Sequence, residues 1–366
     1  MCEKMNIQLI KKMIDDKFIS RRKHPDADLY ILNYSPKCQI EWNWNEATMA
    51  CRGMIVDEDY NIIERPFTKF FTMDQLRDLQ QKGQWKSIAK FDFSTAFDGK
   101  FTVTEKVDGS LGVLYFLDGK PRIATRGSFE SDQAIMANLM INRNAISHTF
   151  NYNIAYTYLF EIIYPENRIV VNYGEYRGLK LLAVIDKETG KDVDDEFDRC
   201  VNAGFDHVKL TYHPSFAELL KEQQDEGEGY VALFENGLRV KVKFEEYKRL
   251  HKILTGWTDK HIWWLLHQEH QTGKGVRDYL YRVPDEFYNS VMETVRQFNY
   301  RYSVILSHVE NVISKELIKR TPPMDRKTLA IKYQDYEYKA VMFALIDGKE
   351  YKQTIWRMLK PKKEKK

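Results

Sequence analysis

Between about residue 28 and residue 245, apolar and polar positions alternate in short runs. These are LYILNY, CRGMIVDED, KFTVTEKV, LGVLYFLDGKPRIATRG, YTYLFEII, NRIVVNY, KLLAVID and EGYVALFENGLRVKVKF. A period of two sends alternate side chains to opposite faces, and turn residues bound the runs, so each predicts a short strand. Helical spacing breaks in twice. Leu9, Ile10, Met13, Ile14 and Phe18 predict an amphipathic surface helix near the start, and Ser131 predicts an N-cap, with Asp132 in the first turn of a helix through AIMANLMI. After about Tyr247 the period becomes helical and aromatic-rich, in EYKRLHKIL, HIWWLLHQEH, EFYNSVMETVRQFNYRYSVILSHVENVISKEL and YKAVMFALI, interrupted at Pro322 and Pro323. The change of period predicts a mixed α+β domain over 1–255 and a smaller all-α C-terminal domain over 256–366. There is no internal repeat.

The most specific local geometry lies at 228–243. Asn236-Gly237 between two strand-like runs predicts a two-residue type I′ hairpin. With that loop Glu235 pairs with Leu238, Ala232 faces Lys241 and Tyr230 faces Lys243. Glu228, Tyr230, Lys241 and Lys243 then share one face, and Val231, Leu233, Leu238, Val240 and Val242 line the other. By itself the pattern more often marks a solvated edge hairpin with routine ion pairs. Its functional meaning is two ammonium groups for a phosphate beside an acid for Mg²⁺.

Composition narrows the class. A chain of 366 residues, 43% hydrophobic and 30% charged, suits two globular domains with ample core. The 56 basic and 53 acidic residues nearly cancel, leaving a formal charge of +3, so a nucleic acid would need a local basic patch. Cys2, Cys38, Cys51 and Cys200 show no CxxC pair or metal-finger spacing and are expected as reduced thiols of a cytoplasmic protein. The start of the chain reads as a helix rather than a signal peptide, and no apolar run is long enough to span a membrane. HQEH at 267–270 is expected to be a helix-surface pair rather than a zinc site. TGKG at 272–275 lacks the spacing of a P-loop, and the tail KPKKEKK reads as a short basic end.

Lys106 stands in TEKVDGSLG. Lys-x-Asp-Gly alone arises readily by chance and describes an ordinary turn lysine. As a nucleophile, Lys106 needs a neutral amine, which nearby cations favour; Arg52, Lys69, Lys241 and Lys243 would supply them if the fold gathers them.

Taken together these segments resemble the covalent nucleotidyltransferases, the family of ATP-dependent ligases and capping enzymes, and within it the T4 RNA ligase 1 group. KVDGSL is similar to the nucleotide-attachment motif. CRGMIVDE and RPFTKFF resemble the segments before it, and TRGSFESDQAIMAN, FEIIYPENRIVV, EGYVA and KVK those after it, in family order over roughly residues 30–250. The resemblance implies an antiparallel nucleotidyltransferase domain with flanking helices, using ATP with Mg²⁺, or Mn²⁺ in its place. Lys106 would carry AMP. Lys241 and Lys243 would contact the α-phosphate, and Asp108 and Gly109 would shape the nucleophile turn, with Asp108 serving later steps. Tyr34, Arg52, Lys69 and Glu105 would sit at the nucleotide, Phe71 near its base and Glu161 at its ribose. Glu228 would help place the metal, and Tyr247 matches a tyrosine just past the paired lysines. Arg126 stands where the group has lysine, which keeps the charge but changes the hydrogen-bond geometry. The implied activity joins 5′-phosphate and 3′-hydroxyl ends of single-stranded RNA or tRNA loops, with the helical domain influencing choice. The implied enzyme is a monomer in the cytoplasm, that of the host if a phage encodes it. The alternatives are a DNA ligase or capping-type nucleotidyltransferase, disfavoured because no oligonucleotide-binding barrel is recognisable after KVK, or a non-catalytic RNA-end-binding protein of the same fold.

Overall fold

Backbone hydrogen bonds of the alternating segments are satisfied in three sheets of a computed structural model, which describes residues 6–361 other than 90, 145, 147–148, 255, 273–275, 277–287 and 320. The first sheet is antiparallel and runs in chain order: β1 (Ile19–Lys23), β2 (Leu29–Tyr34), β3 (Arg52–Asp57) and β4 (Ile62–Glu64). After β5 (Phe71–Thr72) and β6 (Phe101–Lys106) come β7 (Ser110–Leu117), β8 (Lys120–Thr125), β9 (Tyr156–Ile163) and β10 (Gly178–Asp186). These last four form the second sheet in the order β10-β9-β7-β8. β11 (Leu210–Thr211), β12 (Gly229–Phe234) and β13 (Arg239–Lys243) complete the third sheet, ordered β11-β6-β12-β13-β5, in which β13 and β5 run parallel.

Apolar faces explain the layers. Tyr230, Ala232, Phe234, Val240 and Val242 of the third sheet share a core with Leu32, Met54 and Val56 of the first and with Ile10 and Met13 of the helix Ile7–Asp15. The expected N-cap holds: Ser131 accepts a hydrogen bond from the Ala134 amide and starts the helix Asp132–Arg143, whose Ala137 and Ile141 pack on Tyr158, Phe160 and Leu181 of the second sheet. Ile31, Ile55, Val113, Leu159 and Ile185 join the first and second sheets. Burying a Leu, Ile or Phe side chain is worth roughly 1.5–3 kcal/mol, so these cores set the sheet positions against which the polar groups are held.

Two expectations change. NRIVVNY forms no strand: the Val170 and Val171 amides both donate to Asp108 Oδ2, at 2.8 Å each, instead of to a neighbouring strand. The hairpin loop is also one residue longer than Asn-Gly suggests. Phe234 pairs with Leu238 and Gly237 takes φ +85°, while Asn236 keeps a negative φ, so the turn spans Glu235, Asn236 and Gly237. This is the three-residue type I turn closed by a left-handed glycine. Asn236 favours it by donating to the Ala96 carbonyl while accepting from the Leu238 amide. The register moves by one, to Val231 opposite Lys241 and Gly229 opposite Lys243. Tyr230 therefore faces the core, not the lysines.

The chain divides into two compact units, Met1–Leu254 and Thr255–Lys366. In the second, Asp259–Thr272, Tyr288–Ile313, Arg326–Lys332, Lys339–Ile346 and Lys352–Met358 are helices around buried Trp263, Val291, Val341, Met342 and Trp356. Trp263 donates its indole N–H to the Trp356 carbonyl at 2.8 Å. His267 of HQEH stacks on Trp263 within the first of these helices. Cys38, Cys51 and Cys200 are buried free thiols. Cys2, residues 273–275 of TGKG and the last five residues of the tail lie outside the described residues. Among the described residues no helix is long and apolar enough to cross a membrane.

Gly237→Ala is expected to lower stability by about 1 kcal/mol, the cost of holding a side chain at positive φ in otherwise open space. Urea unfolding should show a lower midpoint at an unchanged slope.

Candidate active site

β6 ends at Lys106, and Gly229 at the head of β12 pairs with Lys106 on one side and Lys243 of β13 on the other. Because cross-strand partners share a face, the two lysines flank a position that has no side chain. Gly229 takes φ +138°, and a Cβ there would lie 2.0 Å from the Val242 carbonyl oxygen. This backbone turns Glu228 toward the lysine face, where simple alternation would not put it. The Glu228 carboxylate fills the gap: Lys106 Nζ is 2.7 Å from Oε2 and Lys243 Nζ is 2.6 Å from Oε1. Burial would push this carboxyl up, but the two ammonium groups outweigh burial and hold it below its ordinary range.

Further cations surround this triad. Lys241, on the same face of β13, is buried with its ammonium 5.1 Å from the centre of the Phe70 ring, and the Arg52 guanidinium lies 5.4 Å from the same ring. Glu161 on β9 completes the group. Desolvation raises its carboxyl to about 7; the Lys106 ammonium opposes this, while the charges of Glu228 and Asp108 add to it. One carboxyl is thus held acidic and its neighbour is held near neutrality.

Asp108 ties the turn after Lys106 to two other segments, the loop after β9 and the helix Glu245–Leu254. Its Oδ2 accepts from the Val170 and Val171 amides and its Oδ1 from the Tyr247 hydroxyl at 2.8 Å, while its own amide donates to the Tyr173 hydroxyl. Tyr247 is buried, with the Lys243 ammonium 4.9 Å from its ring centre. Tyr247 thereby joins the site expected from its place after the paired lysines.

A second cluster lies at Tyr34, whose hydroxyl accepts from Arg126 Nη1 at 2.8 Å. The Lys69 ammonium sits 5.3 Å from each of the Tyr34, Trp44 and Phe71 rings, and the residue is 2% exposed, so the rings form a cation–π cage about it. Phe71 is likewise core, edge-on to Trp44. Successive residues point opposite ways, so with Lys69 and Phe71 turned inward it is Phe70 that meets Arg52 and Lys241. Phe71, expected near the base, lies in the core, and Phe70, Trp44 and Tyr173, which the sequence did not single out, stand beside the gathered side chains. Phe70 could have been found from strand parity in KFF; Trp44 and Tyr173 carry no local signal. Glu105 accepts from Lys180 Nζ at 3.2 Å and from the Lys209 amide, and Lys180 is the cross-strand neighbour of Glu161.

The donor set fits a cation only in one form. Both Glu228 oxygens already take ammonium groups, and among the described residues no group of three or more His, Cys, Asp or Glu could hold a metal ion. A divalent ion suits this site if phosphate oxygens bring most of its ligands, as Mg²⁺ commonly requires.

The RNA ligase family model matches residues 50–248. An RNA ligase of Rhodothermus phage RM378 is 26% identical over 395 aligned residues, covering 89% of this chain and 86% of that one. A protein of Autographa californica nuclear polyhedrosis virus, whose name pairs polynucleotide kinase with RNA ligase, is 26% identical over 265 residues. That match covers 66% of this chain but only 36% of the viral protein. Among solved structures, an archaeal ATP-dependent RNA ligase aligns with a TM-score of 0.45 at 14% identity, covering 80% of this chain and 78% of that one.

Gly229→Ala is expected to cost more than about 2 kcal/mol, because the new Cβ meets backbone and not a movable side chain; thermal melting measures this. Glu161 gives a pH signature. With its folded value near 7 and an unfolded value near 4.5, the native state binds the extra proton between those limits, so its contribution to stability falls as pH rises across them. Melting curves at pH 5 and pH 7.5 should show Glu161→Gln losing less stability over that interval than the unsubstituted chain, by on the order of 2 kcal/mol.

Proposed function

The chain belongs to the RNA ligase family, and from that membership we propose that it seals RNA with ATP through a covalent lysyl-AMP on Lys106. The observation that carries the reading is the Lys106–Glu228–Lys243 triad, in which the lysine at the motif position is fixed within a field of further cations. Its unprotonated amine attacks the α-phosphorus of ATP, and a P–N bond forms as the P–O bond to pyrophosphate breaks. Of the two carboxyls that feel the Lys106 ammonium, Glu161 is the better matched to accept its proton, since Glu228 is held too acidic. Lys241, Lys243 and Arg52 are suited to bear charge on the phosphates, and placing such groups is most of what phosphoryl transfer needs.

In the second step an oxygen of an RNA 5′-phosphate displaces Lys106 from AMP, and the amine regains its proton. In the third, a 3′-hydroxyl attacks that 5′-phosphate and AMP leaves. Mg²⁺ or Mn²⁺ carried on the triphosphate would neutralise the departing pyrophosphate, with Glu228 and Glu161 the nearest carboxylates to share it. The substrates proposed are single-stranded or tRNA-loop ends, as in RNA repair, for a monomer in the cytoplasm or, where a phage encodes the chain, in its host.

Incubation with α-labelled ATP and Mg²⁺ should leave acid-labile label on the protein, and Lys106→Ala should abolish it. Label from GTP alone, or undiminished label in Lys106→Ala, contradicts the reading. Sealing of 5′-phosphorylated RNA in preference to the matching DNA strand then separates an RNA ligase from a DNA ligase.

A further inference from the structure

The segment after β9 that was expected as a strand instead encloses a cavity of about 240 Å³ behind the nucleophile turn. Asp108, Tyr164, Asn167, Arg168, Asn172 and Tyr173 are among its lining residues; Lys106, Lys241 and Arg52 are not. The cavity is therefore separate from the cationic cluster and shares with it only the wall made by Asp108. Its volume is below the roughly 300 Å³ at which pockets for drug-sized ligands begin, which fits one sugar–base unit and not a length of strand.

The lining is chemically specific. A carboxylate has about four lone-pair positions, and three on Asp108 are filled, two on Oδ2 by the Val170 and Val171 amides and one on Oδ1 by Tyr247. Oδ1 accepts one donor of the two it can take, and Asp108, though 4% exposed, is part of the cavity wall. Asn167 donates to Ser110 Oγ and the Ile162 carbonyl and accepts from Gln133, so it is a braced part of the wall rather than a donor for a ligand. Arg168 donates Nε–H to the Val170 carbonyl, and its guanidinium makes no ion pair among the described residues. It is an exposed cation at the cavity, which the exposed Glu175 also lines without pairing to it, and is suited to a phosphodiester. Tyr164 and Tyr173 add ring surface, and aromatic rings with a guanidinium are what a single-stranded nucleotide recognises.

We propose that this cavity is the subsite for the terminal nucleoside of the 3′-hydroxyl acceptor strand, a ribose hydroxyl donating to Asp108 and the adjoining phosphate lying against Arg168. The proposal rests on the ligation reading above and assigns its acceptor a place of its own.

The test uses the full chain, a pre-adenylylated donor RNA and an acceptor oligoribonucleotide of varied concentration, so that ATP is not needed. Arg168→Ala removes the phosphate contact, and Asn172→Trp places a large ring at an exposed lining position; thermal melting checks that both fold. In each variant the acceptor KM should rise about tenfold, equivalent to about 1.4 kcal/mol of acceptor binding, with kcat within threefold and the donor KM unmoved. An unchanged acceptor KM in both folded variants overturns the subsite. So does an equal rise in donor KM, or a rise in the KM for ATP during self-adenylylation, which would give the cavity to the donor or the nucleotide. If the unsubstituted chain does not seal, the ligation reading fails first and the subsite with it.

Discussion

The site depends on one buried carboxylate held between two ammonium groups. Glu228 receives Lys106 at one oxygen and Lys243 at the other, and it is 3% exposed. Removing three charges from water is costly, and a buried ion pair usually contributes little net stability. Breaking it is different, because the remaining charge is left without a partner. The arrangement thus fixes where Lys106 stands more than it stabilises the fold. It also requires β12 to lie between β6 and β13, and a residue without a side chain at Gly229, since only there do both lysines reach the same carboxylate.

Asp108 organises the other side of the turn. By accepting the Val170 and Val171 amides it satisfies backbone groups that would otherwise pair in a strand, and so keeps the segment after β9 as a loop. Through Tyr247 it also anchors the helix Glu245–Leu254 to the turn after Lys106. A single carboxylate therefore couples the lysine motif, the loop that encloses the neighbouring cavity and the helix that follows the paired lysines. Glu161 and Glu228 share one electrostatic field, yet burial dominates for the first and the ammonium pair for the second, which separates an acid raised to near neutrality from a carboxyl held below its ordinary range.

Much of this was legible in the residues alone. Period-two segments placed β2, β3, the β7–β8 hairpin, β9 and β10, because those strands bury one face or both and the side-chain pattern follows directly. The helix cap at Ser131 and the change to helical period after Tyr247 were legible for the same reason. Motif order identified Lys106, Asp108, Glu161, Glu228, Lys241 and Lys243, and the structure gathers all six. Less legible were short strands such as β5 and β11, two residues each, whose pairing is set by neighbours and not by their own pattern.

The sequence by itself determined which candidate residues stand in motif order, because residue type and order survive any rearrangement of the chain around them. Only the tertiary structure decided which way those residues face. Asn-Gly specified a tight turn, but whether it closed over two residues or three depended on the Ala96 carbonyl, 140 positions away. That single residue of register moved Tyr230 into the core, while the backbone at Gly229 brought Glu228 to the lysines. NRIVVNY has the alternation of a strand, and a distant carboxylate took its amides. Parity and register are collective quantities, fixed by hydrogen bonds between segments far apart in the chain, and no local pattern contains them.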